Sequence, residues 1–98
     1  MHVQFVSREN GPERLICEAE VHFGPEAGPM AGMKLVGFSL WKSAEGEVFV
    51  TFPSRAFGAG SERKYFDYLR SEDGTLDTVK RLKAWIVDEY RNSAQAAA

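Results

Sequence analysis

The sequence predicts an α+β fold, in which an antiparallel β-sheet meander of four to five strands carries one C-terminal α-helix packed on one face. Alternating apolar and polar residues predict strands before the C-terminal segment. Clusters of Gly, Pro and Asn separate these strands, and helical spacing of apolar residues occurs only near the end. Parallel strands would require crossover helices, for which the sequence has no pattern.

The size and composition predict a single domain. The chain has 98 residues, of which 44% are hydrophobic and 12% aromatic, so it can bury one core. We assign residues 1–92 to that domain and predict that residues 93–98 form a disordered tail. Because the sequence has no signal-peptide pattern and no long apolar run, we expect a cytoplasmic protein that does not contact a membrane.

Two hairpins account for the first four predicted strands. Val3–Val6 and the alternating segment Leu15–Phe23 flank an Asn-Gly-Pro turn, and they predict the first hairpin. A link rich in Gly and Pro follows over residues 24–32 and can form neither a helix interior nor a central strand. Met33–Lys42 and Glu47–Phe52 predict the second hairpin. The proline that follows has no N–H, so it ends the ladder.

The C-terminal part predicts one more strand and the helix. Residues 56–62 are expected to form a flexible loop, and the aromatic-rich segment Arg63–Arg70 the last strand. Apolar residues at helical spacing predict a helix over Leu76–Arg91, with Thr75 as its N-cap. Because a helix is about 10 Å wide and strands lie about 4.8 Å apart, one helix covers about half of a sheet face.

Residue alternation divides the second hairpin into two faces. One face, together with the helix, predicts a core formed by Val36, Phe38, Leu40, Val48, Val50, Phe52, Leu82 and Ile86. The opposite face carries the apolar residues Met33, Leu35, Trp41 and Phe49, which the single helix leaves uncovered. Because large exposed apolar patches usually mark interfaces, we expect a homodimer that buries these four side chains.

The residue types that carry chemistry form no catalytic or metal-binding pattern. His2 and His22 have no zinc-ligand spacing with Cys17, which falls at a predicted buried strand position. The Gly-rich segments match no phosphate-binding motif, and the paired carboxylates lack a partner for acid–base catalysis. We therefore predict a protein that is not an enzyme and that has no metal, cofactor or small-molecule ligand.

The net charge is small but unevenly distributed. The chain has a formal charge of −2, with four Lys/Arg and seven Asp/Glu in residues 1–50 and eight and seven in residues 51–98. Any anion-binding surface is therefore expected in the second half. Arg55, Arg63 and Lys64 flank a Gly-containing loop near several aromatic residues, as in proteins that neutralise phosphates and stack bases. The same residues also allow a solvated loop whose aromatic rings face the core.

Four segments of the chain together resemble one protein family. They are LICEAEVHF (Leu15–Phe23), KLVGFSLW (Lys34–Trp41), GEVFVTFPSR (Gly46–Arg55) and WIVDEYRN (Trp85–Asn92). Their order and the Phe-Pro-Ser-Arg element resemble the stage V sporulation protein G family of SpoVG-like septation regulators. The resemblance implies a small, dimeric α+β protein of the bacterial cytoplasm that regulates septation or sporulation. It also implies nucleic-acid contact by the basic position after the Pro-Ser element, which here is Arg55 alone, because Ala56 replaces a second cation that many members carry.

These observations lead to hypotheses from three classes. The first is a regulator that binds DNA or RNA through the basic loop, using Ser54, Arg55, Arg63 and Lys64. The alternative is a non-catalytic protein–protein interaction module of the same fold, favoured by the net charge of −2 and by Ala56. A small enzyme is a third hypothesis, for which the sequence supplies no catalytic set.

Overall fold

A computed structural model describes residues 1–93 as six strands, two short 3₁₀ segments and one helix. The elements are β1 (His2–Val6), β2 (Leu15–His22), β3 (Lys34–Lys42), β4 (Val48–Thr51), β5 (Ser54–Phe57), β6 (Lys64–Asp67) and α1 (Leu76–Arg91). The predicted disordered tail lies outside the described residues except for Ser93, whose N–H donates to the Tyr90 carbonyl at 3.0 Å. Among residues 1–93, no helix combines the length and apolarity needed to cross a lipid bilayer.

The strands form two separate antiparallel sheets. The main sheet has the order β1-β2-β3-β4, and α1 contacts its two outer strands, β4 and β1. The α+β class, the meander and the single helix are therefore as predicted. The second sheet pairs β5 with β6 alone, and β5 occupies the beginning of the segment that the sequence predicted as a flexible loop.

The Gly/Pro link between the two hairpins is more regular than the sequence suggested. A 3₁₀ segment spans Pro25–Met30, with Gly28 kinked between its two turns at a φ of 60°. The Phe23 N–H donates to the Met33 carbonyl at 2.9 Å, and the Gly32 N–H donates to the Phe23 carbonyl at 3.1 Å. These bonds close the link on itself and return the chain beside β2.

The core lies between the main sheet and α1. Its buried side chains are Cys17, Ala19, Val21, Phe38, Leu40, Val50, Phe52 and Ile86. The rings of Phe38 and Phe52 meet edge to face, with their centroids 5.4 Å apart. Five of the predicted core residues are buried, and Val48 and Leu82 pack partly buried against them.

Val36 was predicted to be in the core, and that prediction is wrong. Ala19 pairs with Phe38 and Val21 pairs with Leu35, so β3 advances by three residues where β2 advances by two. Such a β-bulge shifts the alternation of side chains by one position. Leu35 therefore packs against the core, whereas Val36 is 50% exposed. The same shift removes Leu35 from the outer face, where the predicted dimer interface placed it.

A glycine makes this bulge possible. Gly37 has a φ of 101°, a conformation that residues with a Cβ rarely adopt. A Cβ added to Gly37 would also lie 3.0 Å from the Cβ of Pro53. The proline that follows β4 therefore packs directly over the bulge in β3.

The helix begins where the sequence predicted, but its N-terminal contacts differ. Thr75 occupies the N-cap position, but its side chain makes no capping hydrogen bond to the backbone of the first helical turn. Its hydroxyl instead donates to the Asp73 carboxylate at 2.9 Å, which also accepts from the Ser71 hydroxyl at 2.6 Å. These hydrogen bonds, led by the one from Ser71, lower the pKa of Asp73 to about 2.

We expect truncation of the buried Phe38 to be among the most damaging changes to the core. Phe38→Ala should lower the free energy of unfolding by about 3–5 kcal/mol, because it leaves a cavity that the neighbours fill only in part. Val36→Ala on the same strand should cost less than about 1 kcal/mol, because half of that side chain is in solvent. Urea unfolding followed by far-UV circular dichroism measures both. Equal losses would show that the bulge is misplaced.

Gly37 should tolerate substitution less well than a glycine that also has a positive φ but has no neighbouring atoms where a Cβ would lie. Gly37→Ala should lower the free energy of unfolding by about 1–2 kcal/mol, because a residue with a Cβ is strained at this positive φ. The overlap of the added Cβ with Pro53 should lower it further. Gly74→Ala is the matched control, because Gly74 has a φ of 76° but no atom within 4 Å of the added Cβ. We expect a larger loss of unfolding free energy at Gly37 in urea titrations. A loss no greater than that at Gly74 would contradict close packing of the bulge.

Candidate nucleic-acid interface

The second sheet is a two-stranded ribbon formed by β5 and β6, and we call it the ribbon. Its turn requires glycine at position 58, where φ is 81° and a Cβ would lie 2.8 Å from the Glu62 carbonyl oxygen. At the other end, the Tyr68 N–H donates to the Pro53 carbonyl at 2.9 Å, which closes the base of the ribbon. All four residues of β6 are exposed, so the ribbon is an open surface feature.

The strand register divides the ribbon into two faces. Arg55 pairs with Phe66, and Phe57 pairs with Lys64. Because directly paired residues point to the same side of a sheet and the side chains alternate along each strand, these four residues share one face. We call it the cationic face of the ribbon. It brings together two of the predicted binding residues and two aromatic rings.

A cation is in contact with an aromatic ring on the cationic face. The Arg55 guanidinium lies 4.5 Å from the centroid of the Phe57 ring, a cation–π distance. The rings of Phe57 and Phe66 meet edge to face with their centroids 5.1 Å apart. Phe57 is 41% exposed and Phe66 is 46% exposed. The rings therefore present apolar surface to solvent beside a positive charge, and the expectation that the aromatic residues face the core does not hold for them.

Two of the predicted binding residues lie apart from the cationic face. Ser54 pairs with Asp67, and the next pair on that side joins Ala56 to Tyr65. The Arg63 guanidinium lies 5.4 Å from the centroid of the Tyr65 ring, which places it with the opposite face. The sequence could not separate these residues, because the pairing of β5 with β6 was not predicted.

Arg70 belongs to the ribbon surface, and the sequence analysis did not single it out. It borders a shallow hollow of about 310 Å³ together with Phe57 and Phe66. Its Nε donates to the Asp67 carbonyl at 2.8 Å, which holds the guanidinium at the end of β6. The available signal was its position as the last residue of the basic and aromatic run that begins at Arg63.

The cations of the ribbon are free of ion pairs within the described part of the chain. In residues 1–93 the ion pairs join the Met1 amino group to Glu26, Arg8 to Glu18 and Lys34 to Glu20, and the His22 imidazole lies 3.4 Å from the Glu20 carboxylate. None of these pairs involves the ribbon, so the charges of Arg55 and Lys64 remain available to an anion.

Cys17, the one thiol in the sequence, lies in the core. Cys17 is 2% exposed, and burial together with the negative charge of Glu18 raises the pKa of its thiol to about 11. The thiol is therefore protonated at neutral pH, which is the inert form. Among residues 1–93, no group of three or more His, Cys, Asp or Glu side chains is arranged to hold a metal ion.

The residues predicted to form a dimer interface are only partly together. Trp41 pairs with Phe49 across β3 and β4, and Leu15 of β2 pairs with Trp41, so these three form a row on the outer face of the main sheet. The indole N–H of Trp41 donates to the Thr51 hydroxyl at 2.8 Å. Phe49 is 46% exposed, and Met33, just before β3, is 61% exposed. Met33 has the same parity as Leu35, so the bulge also removes it from the outer face, whereas Val36 lies there and is 50% exposed. The uncovered apolar surface of the outer face is therefore this row together with Val36.

No family model, no curated protein and no solved structure matches this chain. The resemblance to the stage V sporulation protein G family therefore stays a prediction. A functional hypothesis depends on the geometry of the ribbon, where exposed rings and accessible cations lie side by side.

Proposed function

We propose that this chain is a small bacterial regulatory protein that binds DNA or RNA through the cationic face of its ribbon. The observation that carries the proposal is the contact of the Arg55 guanidinium with the exposed Phe57 ring. On the same face, Lys64 pairs with Phe57 and Arg55 pairs with the exposed Phe66 across the strands. The regulated process is septation or sporulation in the bacterial cytoplasm, as the resemblance to the stage V sporulation protein G family implies.

The rings supply the sequence-tolerant part of binding. Every nucleobase has a π-face, and stacking on an aromatic side chain contributes about 1–3 kcal/mol per base. Phe57 and Phe66 stand edge to face, so each leaves part of its ring open to a ligand. Bases in a duplex are already stacked on one another, which favours a single-stranded segment as the ligand.

The cations supply the electrostatic part of binding. Arg55, Lys64 and Arg70 border the exposed rings, and a phosphate backbone that follows the bases would pass within their reach. Neutralising phosphates releases condensed counterions, so this contribution weakens as the salt concentration rises. Three cations are few, and the chain as a whole carries −2, so we expect modest affinity.

A protein–protein interaction module is the second candidate, and the exposure of the ribbon favours it. Tyr65 is 65% exposed and Tyr68 is 67% exposed, and aromatic side chains are enriched in protein interfaces. In that case the ribbon would bind a partner protein, and nucleic acid would bind only nonspecifically.

Oligonucleotide binding tests the proposed function. Fluorescein-labelled oligo(dT) and oligo(U) of about 12 nucleotides, within the usual span of single-strand sites, should raise the anisotropy on titration with the protein at low salt. Removing both cations in Arg55→Ala/Lys64→Ala should weaken binding about tenfold or more and reduce the salt slope, since about 0.7 is lost for each phosphate contact. Phe66→Ala should weaken binding with little change in that slope.

Arg63→Ala is the matched control, because it removes a cation of the same loop from the opposite face. It should have a smaller effect than either Arg55→Ala or Lys64→Ala alone. No binding of either oligonucleotide at low salt rejects nucleic-acid binding and leaves the interaction module. Equal effects of the three substitutions would contradict a role for one face.

We propose in addition that the protein is a homodimer. Trp41 and Phe49 on the outer face, together with the exposed Met33 just before β3, supply the apolar surface that a dimer contact would bury.

The mass in solution tests the dimer. Size-exclusion chromatography with light scattering should give twice the chain mass at micromolar concentration, and Met33→Lys/Phe49→Lys should give the monomer mass. Both side chains are about half exposed or more, so the substitutions should leave folding intact. Leu76→Lys is the control, because Leu76 is 69% exposed on the first turn of α1 and should have no effect. A monomer for the unmodified chain would exclude the interface.

A further inference from the structure

A second hollow adjoins the cationic face, where the turn of the ribbon meets its two strands. Its volume is about 550 Å³, and it is lined by Phe57, Gly58, Ser61, Glu62, Lys64 and Phe66. Both exposed rings of the cationic face therefore border it, together with polar groups from the turn. Sites for small ligands usually combine aromatic walls with a few polar groups. The hollow has the composition needed to hold one nucleobase.

The turn holds Glu62 beside the rings. Glu62 ends the short 3₁₀ segment Gly60–Glu62, and its N–H donates to the Ala59 carbonyl at 3.2 Å. A Cβ added to Gly58, the residue directly after Phe57, would lie 2.8 Å from the Glu62 carbonyl oxygen. The backbone of Glu62 therefore packs against the end of β5, next to the residue that carries one of the two rings.

Phosphate binding does not account for the carboxylate of Glu62. The cations that border the exposed rings are Arg55, Lys64 and Arg70, whereas Glu62 is the acidic residue among those that line the hollow. Asp67 belongs to the opposite face of the ribbon. In residues 1–93 Glu62 makes no ion pair, and it is exposed. Because a carboxylate repels phosphate, its position favours a ligand group that donates hydrogen bonds.

Guanine is the nucleobase that fits a carboxylate best. An ionised carboxylate only accepts hydrogen bonds, and its two oxygens can accept a parallel pair. On the Watson–Crick edge guanine presents two neighbouring donors, N1–H and the N2 amino group. Adenine and cytosine present one amino donor beside a ring nitrogen that accepts, and thymine and uracil present one N–H between two carbonyl oxygens. In each of these other bases an acceptor would face the second carboxylate oxygen.

We propose that this hollow is a guanine subsite, in which Glu62 selects the base. A guanine stacked on the exposed rings of Phe57 or Phe66 would donate its N1–H and N2 amino hydrogens to the carboxylate, while the cations hold the phosphates on either side. The inference rests on the proposed binding of a single strand at the cationic face, and it adds a base preference to that function.

A single guanine in an otherwise uniform strand tests the preference. Fluorescein-labelled oligo(dT) of about 12 nucleotides is compared by anisotropy with the same strand carrying one central guanine. The guanine should tighten binding about tenfold, the usual effect of a good bidentate contact to a base. Hypoxanthine at that position lacks the N2 amino group, so most of the gain should disappear, and adenine should bind no more tightly than thymine.

Glu62→Gln tests the residue assigned to the base. The amide has one accepting oxygen where the carboxylate has two, so the guanine strand and oligo(dT) should bind with nearly equal affinity. The variant should bind oligo(dT) at least as tightly as the unmodified chain, because it loses a negative charge beside the phosphates. Glu45→Gln is the matched control, since it makes the same change at an exposed residue between β3 and β4, and it should keep the preference.

The outcomes separate this inference from the proposed function. Equal binding of oligo(dT) and the guanine strand to the unmodified chain would overturn the guanine subsite and leave nucleic-acid binding intact. A preference that hypoxanthine retains, or that survives Glu62→Gln, would also overturn it. If no strand binds at low salt, the proposed function is rejected and the guanine subsite with it.

Discussion

The packing of Pro53 over Gly37 is the constraint on which much of the structure depends. Gly37 takes a φ of 101° and leaves no Cβ, so the chain leaving β4 can lie directly on the bulge in β3. The bulge places Leu35 and Phe38 on the core side together, which lets β3 bury its apolar residues beneath α1. The proline, which cannot donate to the ladder, ends β4 and directs the chain away from the main sheet.

Because the chain turns away from the main sheet after β4, the packed core and the exposed ribbon are separate parts of the molecule. The main sheet and α1 bury the core, whereas the ribbon pairs only with itself and keeps its rings in solvent. Four exposed aromatic residues would cost little to bury against a ligand, because their apolar surface is already in unfavourable contact with water. The contrast between a buried core and a ribbon with exposed rings is the main physical support for the proposed binding at the ribbon.

The sequence by itself determined the four strands of the main sheet and α1, because their signals are local, but it did not show β5 or the 3₁₀ segment over Pro25–Met30. Helical spacing identified α1 from Leu76 to Arg91, alternation identified both hairpins, and Pro53 marked the end of the ladder. It also located the basic and aromatic residues of the candidate site.

Only the tertiary structure decided which residues share a face. One extra residue at the bulge turns Leu35 toward the core and Val36 toward solvent. The register of β5 with β6 places Arg55 and Lys64 on one face and Arg63 on the other. The sequence alone could not show these directions, because side-chain direction in a sheet depends on pairing between distant segments.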